Sequence, residues 1–215
     1  MKNTSFGNLK LRMIQKTINL FHDGPNPLPD MAMSVVDWGS KNGYQTKVWK
    51  AENLPDFEQK QWLIENKQWS CLSDVCRHWA IYTTGGFYLD TDCEIVGDLQ
   101  PLRKYKWFAT KEPPRFVNCA FSGGIEGNEV SKAMFEVIRS FDFKGYKGQV
   151  PLPAYVGPWL QTAVFDYMSK ILVTTEGYHL LSTSEGFGLT YQQDHRGVRD
   201  WPQGGIVRHH WAKSW

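Results

Sequence analysis

Gly85-Gly86-Phe87-Tyr88-Leu89-Asp90-Thr91-Asp92 decides how this chain reads. The glycine pair ends whatever precedes it, and Phe87-Tyr88-Leu89 has the make-up of a short buried strand. The strand runs out into two carboxylates one residue apart. Alternation along an extended chain would put Asp90 and Asp92 on one face and Thr91 on the other. Two like charges at the mouth of a buried strand cost stability unless a cation or several donors compensate them. A divalent metal held by oxygen ligands is the natural compensator. Asp-x-Asp alone is common by chance; the preceding Gly-Gly and apolar run make it more specific.

Upstream, Leu72, Val75, Cys76, Trp79 and Tyr82 recur at helical spacing, which predicts a helix over 71–83 with Ser70 as N-cap and Gly85 as its stop. Asp74 and Arg77 are three apart on it and share a face, with His78 beside them. By spacing alone this is an exposed intrahelical ion pair worth about 0.2–0.5 kcal/mol. Further out, Ile18 to His22 reads as a buried strand closed by the turn signals of Asp23 to Pro27. Met31 to Asp37 reads as helix, and Gln45 to Trp49 as a strand after the Asn42-Gly43 turn. Downstream, Ile95-Val96 and Leu99 to Leu102 lead into Trp107 to Ala109, which has strand character. Asn128 can cap a helix whose core face is Ala133, Met134, Val137, Ile138 and Phe141, and Gly157-Pro158 opens another helix running toward Met168. Ile171-Leu172-Val173 and Ile206-Val207 are late strand candidates. Strands separated by helices give an α/β class, and no linker-like run divides residues 1–215, which predicts one domain.

Bulk properties narrow the function classes. The net charge of +2, without a Lys/Arg block, argues against a nucleic-acid partner. The four cysteines, Cys71, Cys76, Cys93 and Cys119, form no Cys-x-x-Cys pair, so a structural zinc site is not expected and the default is a reducing, cytoplasmic setting with free thiols. No stretch is apolar and long enough to span a bilayer, and Met1 to Leu20 is too polar for a signal peptide. Aromatic content is high at 14%. Most of it suits a filled core, while some Trp and Tyr could line a pocket that stacks on flat or sugar-like ligands. The ending His209-His210-Trp211-Ala212-Lys213-Ser214-Trp215 is unusual for a chain end and predicts a docked segment.

Hard oxygen ligands at the Asp-x-Asp would suit Mg²⁺ or Mn²⁺, and an added imidazole tilts the choice toward Mn²⁺. Two carboxylates leave coordination positions for phosphate oxygens, so the metal could neutralise a departing diphosphate. Ser73-Asp74-x-x-Arg77 followed by Gly85 to Asp92 resembles the signature of DXD-containing glycosyltransferases. The likeness is greatest to glycosyltransferase family 32, the initiating yeast-type mannosyltransferases and the bacterial capsular and lipopolysaccharide transferases. The large clostridial toxin glucosyltransferases are more distant. Lys16 to His22 with Pro27-Leu28-Pro29, Val48-Trp49, Asn118 to Phe121, Gly157-Pro158 and His209-His210-Trp211-x-x-Ser214-Trp215 follow the family's order across nearly the whole chain. Phe87 replaces the family's usual aliphatic residue, and Cys93 its usual small β-branched one.

The resemblance implies a GT-A fold, an α/β nucleotide-binding domain with a mixed central sheet flanked by helices. It also implies a nucleotide-sugar donor, UDP-hexose or GDP-mannose, Mn²⁺ or Mg²⁺, and a glycan, lipid-linked or protein acceptor in polysaccharide synthesis. Asp92 would bind the metal, with Asp90 on donor or metal and His209, rather than His210, as a further metal ligand. Asp74 would take sugar hydroxyls and Arg77 the sugar or diphosphate. Asn19, Leu20 and Phe21 would lie near base and ribose, Tyr88 and Thr91 would border the donor, and Ser214 and Trp215 would close over the diphosphate. Asp74 and Asn118 are candidates beside an oxocarbenium-like centre, with retention of configuration and no evident covalent nucleophile. Two other classes compete. A haloacid-dehalogenase-type phosphatase also uses a strand ending in Asp-x-Asp, but near the N-terminus and followed by Gly-Thr. A lectin-like or degenerate module would bind sugar nucleotides without turnover.

Overall fold

The computed structural model describes residues 12–23, 26–172, 176–188 and 205–210. The predicted first strand is β1 (Thr17–Phe21), followed by α1 (Asp30–Lys41) and β2 (Gln45–Trp49). A short α2 (Lys60–Glu65) leads into α3 (Trp69–Thr84), and the Gly85-Gly86 junction into β3 (Gly86–Leu89) and β4 (Cys93–Ile95). A hairpin of β5 (Trp107–Glu112) and β6 (Phe116–Gly124) precedes α4 (Glu129–Arg139). The one-turn α5 (Leu152–Ala154) runs through a kink at Gly157 into α6 (Leu160–Ile171), and β7 (Tyr178–Leu181), α7 (Thr183–Gly186) and β8 (Val207–His209) follow.

Among the described residues, six strands form a mixed sheet in the order β2-β1-β3-β6-β5-β7, and β4 pairs with β8 in a separate two-stranded ribbon. β2, β1 and β3 are parallel, so their C-terminal ends open on one edge; β6 enters antiparallel beside β3. That edge carries Asp90 to Asp92. Alternation sorts β1 between two cores. Ile18 and Leu20 pack with α1, Phe87 and Phe108, whereas Phe21 packs with Tyr88 under α3. A third apolar cluster joins Trp107, Cys119, Val130, Met134 and Val164 between β5, β6, α4 and α6. Most of the large aromatics, Trp107, Tyr88, Phe87, Phe108 and Phe121 among them, fill these cores.

Local expectations differ from the structure in several places. The Asn128 cap forms, its side chain accepting from the Ser131 amide, but the helix turns so that Val130, Met134, Phe135 and Ile138 are buried and Val137 is 40% exposed. Ser70 lies inside the first turn of α3, behind an uncapped start at Gln68. Ile171 ends α6 instead of opening a strand, because Val164 and Met168 carry the helical apolar stripe up to it. Val173 lies outside the described residues. The late strand is instead β7, half-buried along most of its length.

The Gly85-Gly86 junction is dictated by backbone space. Both residues have positive φ, +63° and +98°, and a Cβ on Gly86 would fall 2.4 Å from the Thr17 carbonyl oxygen of β1. Gly127 also has positive φ, +78°, but faces open space. Gly127→Ala should therefore cost only the left-handed penalty of about 1–2 kcal/mol. Gly86→Ala adds a backbone clash between paired strands and should cost at least about 3 kcal/mol more or prevent folding. Urea denaturation of the two variants measures the difference.

Candidate active site

The residues at the open edge belong to α3, the turn after β3, and β6. Ten residues of α3 are buried, the polar Ser73, Asp74, Arg77 and His78 among them beside the apolar Leu72, Val75 and Cys76. Its polar side faces the sheet edge rather than solvent. The Arg77 guanidinium lies between two carboxylates, with Nη1 3.3 Å from Asp74 Oδ1 and Nη2 2.8 Å from Asp90 Oδ1. It sits 5.2 Å from the centre of the Tyr88 ring. The exposed i,i+3 pair expected from spacing is thus a buried three-residue charge strip. Tyr88, 1% exposed, supports Arg77 from beneath and has little surface to offer a donor.

Asp74 also accepts from Gln161 Nε2 at 3.0 Å, and a Cβ on Gly157 would lie 3.5 Å from its Oδ2. Burial pushes the Asp74 carboxyl up to about 7, against the lowering influence of Arg77; Asp90 raises it further and Gln161 lowers it. Arg77 stays charged because Asp90 and Asp74 outweigh the cost of burying it. Two buried polar atoms beside Asp74, Arg77 Nε and Gln161 Oε1, have no hydrogen-bond partner. Buried orphans of this kind are rare and mark where a polar ligand or water belongs.

Asp90, Thr91 and Asp92 form a turn beyond the strand, closed by Cys93 N–H donating to the Asp90 carbonyl at 3.0 Å. The two carboxylates consequently part company, contrary to simple alternation. Asp90 turns to Arg77, while Asp92 Oδ1 lies 3.3 Å from His209 Nε2. β8 brings His209 there by pairing with Cys93, and the His210 amide donates to the Asp92 carbonyl at 3.0 Å. The His210 ring turns instead toward Glu94, at 3.6 Å. Ligand atoms of Asp92, Cys93 and His209 lie within 4.8 Å of one another. Burial and the nearby Asp92 and Asp90 hold the Cys93 thiol well above its ordinary range, so it stays protonated, 3.8 Å from the Ala120 carbonyl. The remaining donors, a carboxylate and an imidazole, are a mixed oxygen and nitrogen set that suits Mn²⁺.

Other expected contacts are already committed within the fold. Asn19 is fully buried: its amide donates to the Gly85 and Phe87 carbonyls at 3.1 Å each and accepts from Trp49 Nε1 at 2.9 Å. Leu20 and Phe21 fill opposite cores. These three can meet a nucleotide only through the backbone at the strand end, because their side chains hold β1, β2 and β3 together. Asn118 is clamped as well. Its Nδ2 donates to Glu112 Oε2 at 2.9 Å and its Oδ1 accepts from Ala120 N–H at 2.8 Å. That clip spans an irregularity where Ala109 pairs with Ser122 but Thr110 with Asn118, and it aims the Ala120 carbonyl at the Asp90 amide, 2.9 Å away. Thr91 is 4% exposed within the turn. Ser214 and Trp215 lie outside the described residues. Gln161 and Glu112 were not visible as site residues in the sequence; the one available hint was the i,i+4 spacing of Gly157 and Gln161.

The family described as "Glycosyltransferase sugar-binding region containing DXD motif" matches residues 14–109, a span from β1 through the Asp90 turn into β5. That part of the chain is similar to the DXD-containing glycosyltransferases. The fold is of the GT-A type, and the chain is similar to the solved structure titled "PaToxG Glycosyltransferase", at a TM-score of 0.55 and 14% identity over 75% of this chain and 73% of that one. Further structures are a glycosyltransferase involved in glycosylating the major capsid of the virus PBCV-1 (TM-score 0.48, 15% identity, 90% and 92% covered) and the glycosyltransferase GlyE of Streptococcus pneumoniae TIGR4 (0.44, 11%, 93% and 55%). No curated protein matches the chain. No helix among the described residues of the chain is long and apolar enough to cross a membrane.

The raised Asp74 carboxyl gives a signed expectation. Between its ordinary value of 3.8 and about 7 the folded state holds a proton that the unfolded state has lost. Stability therefore falls across that window as pH rises, and this group adds no slope above it. Asp74→Asn removes the term. Its melting temperature relative to wild type should climb from pH 4.5 to pH 7 and then level off in thermal scans of the metal-free protein.

Proposed function

We propose that the protein is a transferase that moves a hexose from a nucleoside-diphosphate sugar to an acceptor hydroxyl, using Mn²⁺ or Mg²⁺ and retaining anomeric configuration. The observation that carries this reading is the division of the Asp90–Asp92 turn, with Asp92 set against His209 and Asp90 against Arg77. Asp92 and His209 would hold the cation, with Asp90 close enough in sequence to reach it or the donor. When bound, the cation would supply positive charge to the departing diphosphate. Arg77 is fixed by two carboxylates and an aromatic ring, so its charge is oriented before any ligand arrives. Asp74, with Gln161 beside it and Gly157 opposite, would take donor-sugar hydroxyls on its open side.

Attack would come from the front face, with the donor's phosphate oxygen taking the acceptor proton; among the described residues the carboxylates nearest the strip, Asp74 and Asp90, both engage Arg77. Asn118 would act by holding the turn in place. Asn19, Leu20 and Phe21 would border base and ribose through the end of β1, Tyr88 and Thr91 would shape the floor, and Ser214 with Trp215 would close over the diphosphate. A UDP-hexose or GDP-mannose donor, a glycan, lipid-linked or protein acceptor, a role in polysaccharide synthesis and one domain over residues 1–215 complete the reading. Four free, buried cysteines suit a reducing compartment such as the cytoplasm.

Mn²⁺ together with UDP or GDP should raise the melting temperature by several degrees, and Asp92→Ala should abolish the rise. No shift with any nucleotide in a full panel counts against the reading. In a donor-hydrolysis screen with Mn²⁺, one or a few sugar nucleotides should be cleaved, and a chelator should stop cleavage. Binding without any cleavage would favour a module that only holds sugar nucleotides.

A further inference from the structure

Beyond the Asp90 turn, one feature of the open edge has no part in donor binding. Phe116 begins β6, and its ring centre lies 5.4 Å from that of Trp159, at an interplanar angle of 35°. Trp159 is 48% exposed, among the largest apolar side chains that the described residues leave to solvent. The pair is held stiffly. Thr162 Oγ1 accepts from the Val117 amide at 2.8 Å and donates to the Pro158 carbonyl at 2.6 Å, tying the start of α6 to the start of β6.

The register fixes what lies beside the two rings. Glu112 pairs with Phe116 and Thr110 with Asn118, so Glu112, Phe116 and Asn118 share one face of the hairpin. The Glu112–Asn118 hydrogen bond crosses that face. Asn118 then leads through Ala120 to the Asp90 amide. Phe116 is four residues from Ala120, so the rings stand at most roughly 13 Å along the strand from the metal-side turn. That leaves room for a donor sugar between them. On the other flank, Gly157 and Gln161 bracket Trp159 in sequence and face Asp74.

We infer that Phe116 and Trp159, with Glu112 beside them, form an acceptor subsite that takes a carbohydrate ring. The inference rests on the transferase reading above and deepens it by naming the acceptor class. A pyranose presents an apolar face of C–H groups and a rim of hydroxyls. An exposed aromatic platform matches the face, and a carboxylate at the platform's edge matches the rim. A lipid chain would need a continuous apolar groove, whereas the exposed loop beside the platform carries the charged Lys111 and Arg115 on either side of Pro113 and Pro114. Glu112 accepts from Asn118 through Oε2, and its side chain is half-buried at the edge of the platform. The Glu112 carboxyl is raised by burial, with its hydrogen bond from Asn118 acting in the opposite direction.

The test uses the whole chain with Mn²⁺ and whichever of UDP or GDP raises its melting temperature. Binding of four disaccharides (maltose, cellobiose, lactose and mannobiose) is followed by saturation-transfer NMR and titration. At least one should bind wild type. Trp159→Ala should weaken it tenfold or more, Trp159→Phe should keep most of it, and Tyr167→Ala should leave it unchanged, since Tyr167 is an exposed ring about two helical turns further along the chain. The melting shift given by Mn²⁺ and nucleotide should be the same in all four proteins, which shows that fold and donor site survive. A disaccharide that binds Trp159→Ala as well as wild type overturns the inference, and so does the failure of all four to bind wild type. Loss of the melting shift in wild type instead overturns the transferase reading itself.

Discussion

The guanidinium of Arg77, held between Asp74 and Asp90 and almost out of contact with water, is the constraint around which the rest is arranged. Removing three charges from water is expensive, and one cation between two anions recovers the cost only with good geometry and further hydrogen bonds. The structure supplies those from different directions. Gln161 comes from α6, the Tyr88 ring from β3, and the Ala120 carbonyl anchors the turn that carries Asp90. A hydrophobic replacement of the strip would satisfy the fold more cheaply, so its retention points to work done on a ligand rather than to stability. Burial is the main reason the Asp74 carboxyl is raised, and Arg77 offsets it only in part.

Positioning that strip depends on backbone packing where side chains are absent. α3 must end and β3 begin within two residues, and β3 must lie directly against β1 to bring Asp90 under Arg77. Gly85 and Gly86 allow the turn, and Asn19 staples it from the β1 side by taking both neighbouring carbonyls. A buried amide with its donors and acceptor satisfied is a strong local organiser. Asn118 plays the matching part on the β6 side, where its clip across the irregular pairing turns the Ala120 carbonyl toward Asp90. Two asparagines that resemble ligand contacts in a linear motif therefore act as braces on either side of the acidic turn.

Features set by near neighbours in the chain were legible in the sequence. β1, β2 and β3, the Asn128 cap and the opposed ends of α3 follow from apolar runs and turn residues. What misled was mostly non-local. Helical spacing placed Asp74 and Arg77 on one face but could not say that this face meets the sheet, because Gln161 and Asp90 arrive from 87 and 16 residues away from Asp74. Alternation put Asp90 and Asp92 together because nothing in Leu89-Asp90-Thr91 announces that the strand has ended. Val137 and Phe135 exchanged places since a helix face read from five residues shifts easily by a fraction of a turn. His209 was found through resemblance, not periodicity; its partner Asp92 is fixed only by the pairing of β4 with β8. Glu112 and Gln161 carry no pattern of their own and become visible only when the chain is folded around Asn118 and Asp74.

The two flanks of the open edge are built on different logic. On the Arg77 flank the carboxylates of Asp74 and Asp90 are buried and paired with one guanidinium, so that strip is oriented before any ligand arrives. On the other flank Trp159 is exposed, and Phe116 and Glu112 are half-buried beside it. The flanks communicate through one short path, Glu112 to Asn118 to Ala120 to Asp90, made of three hydrogen bonds of 2.8–2.9 Å. A group seated against Glu112 would therefore pull on the clip that aims the Ala120 carbonyl, and through it on the turn that sets Asp90 against Arg77. The two flanks are joined at the point where the β5–β6 pairing is irregular, and the Asn118 clip holds that point.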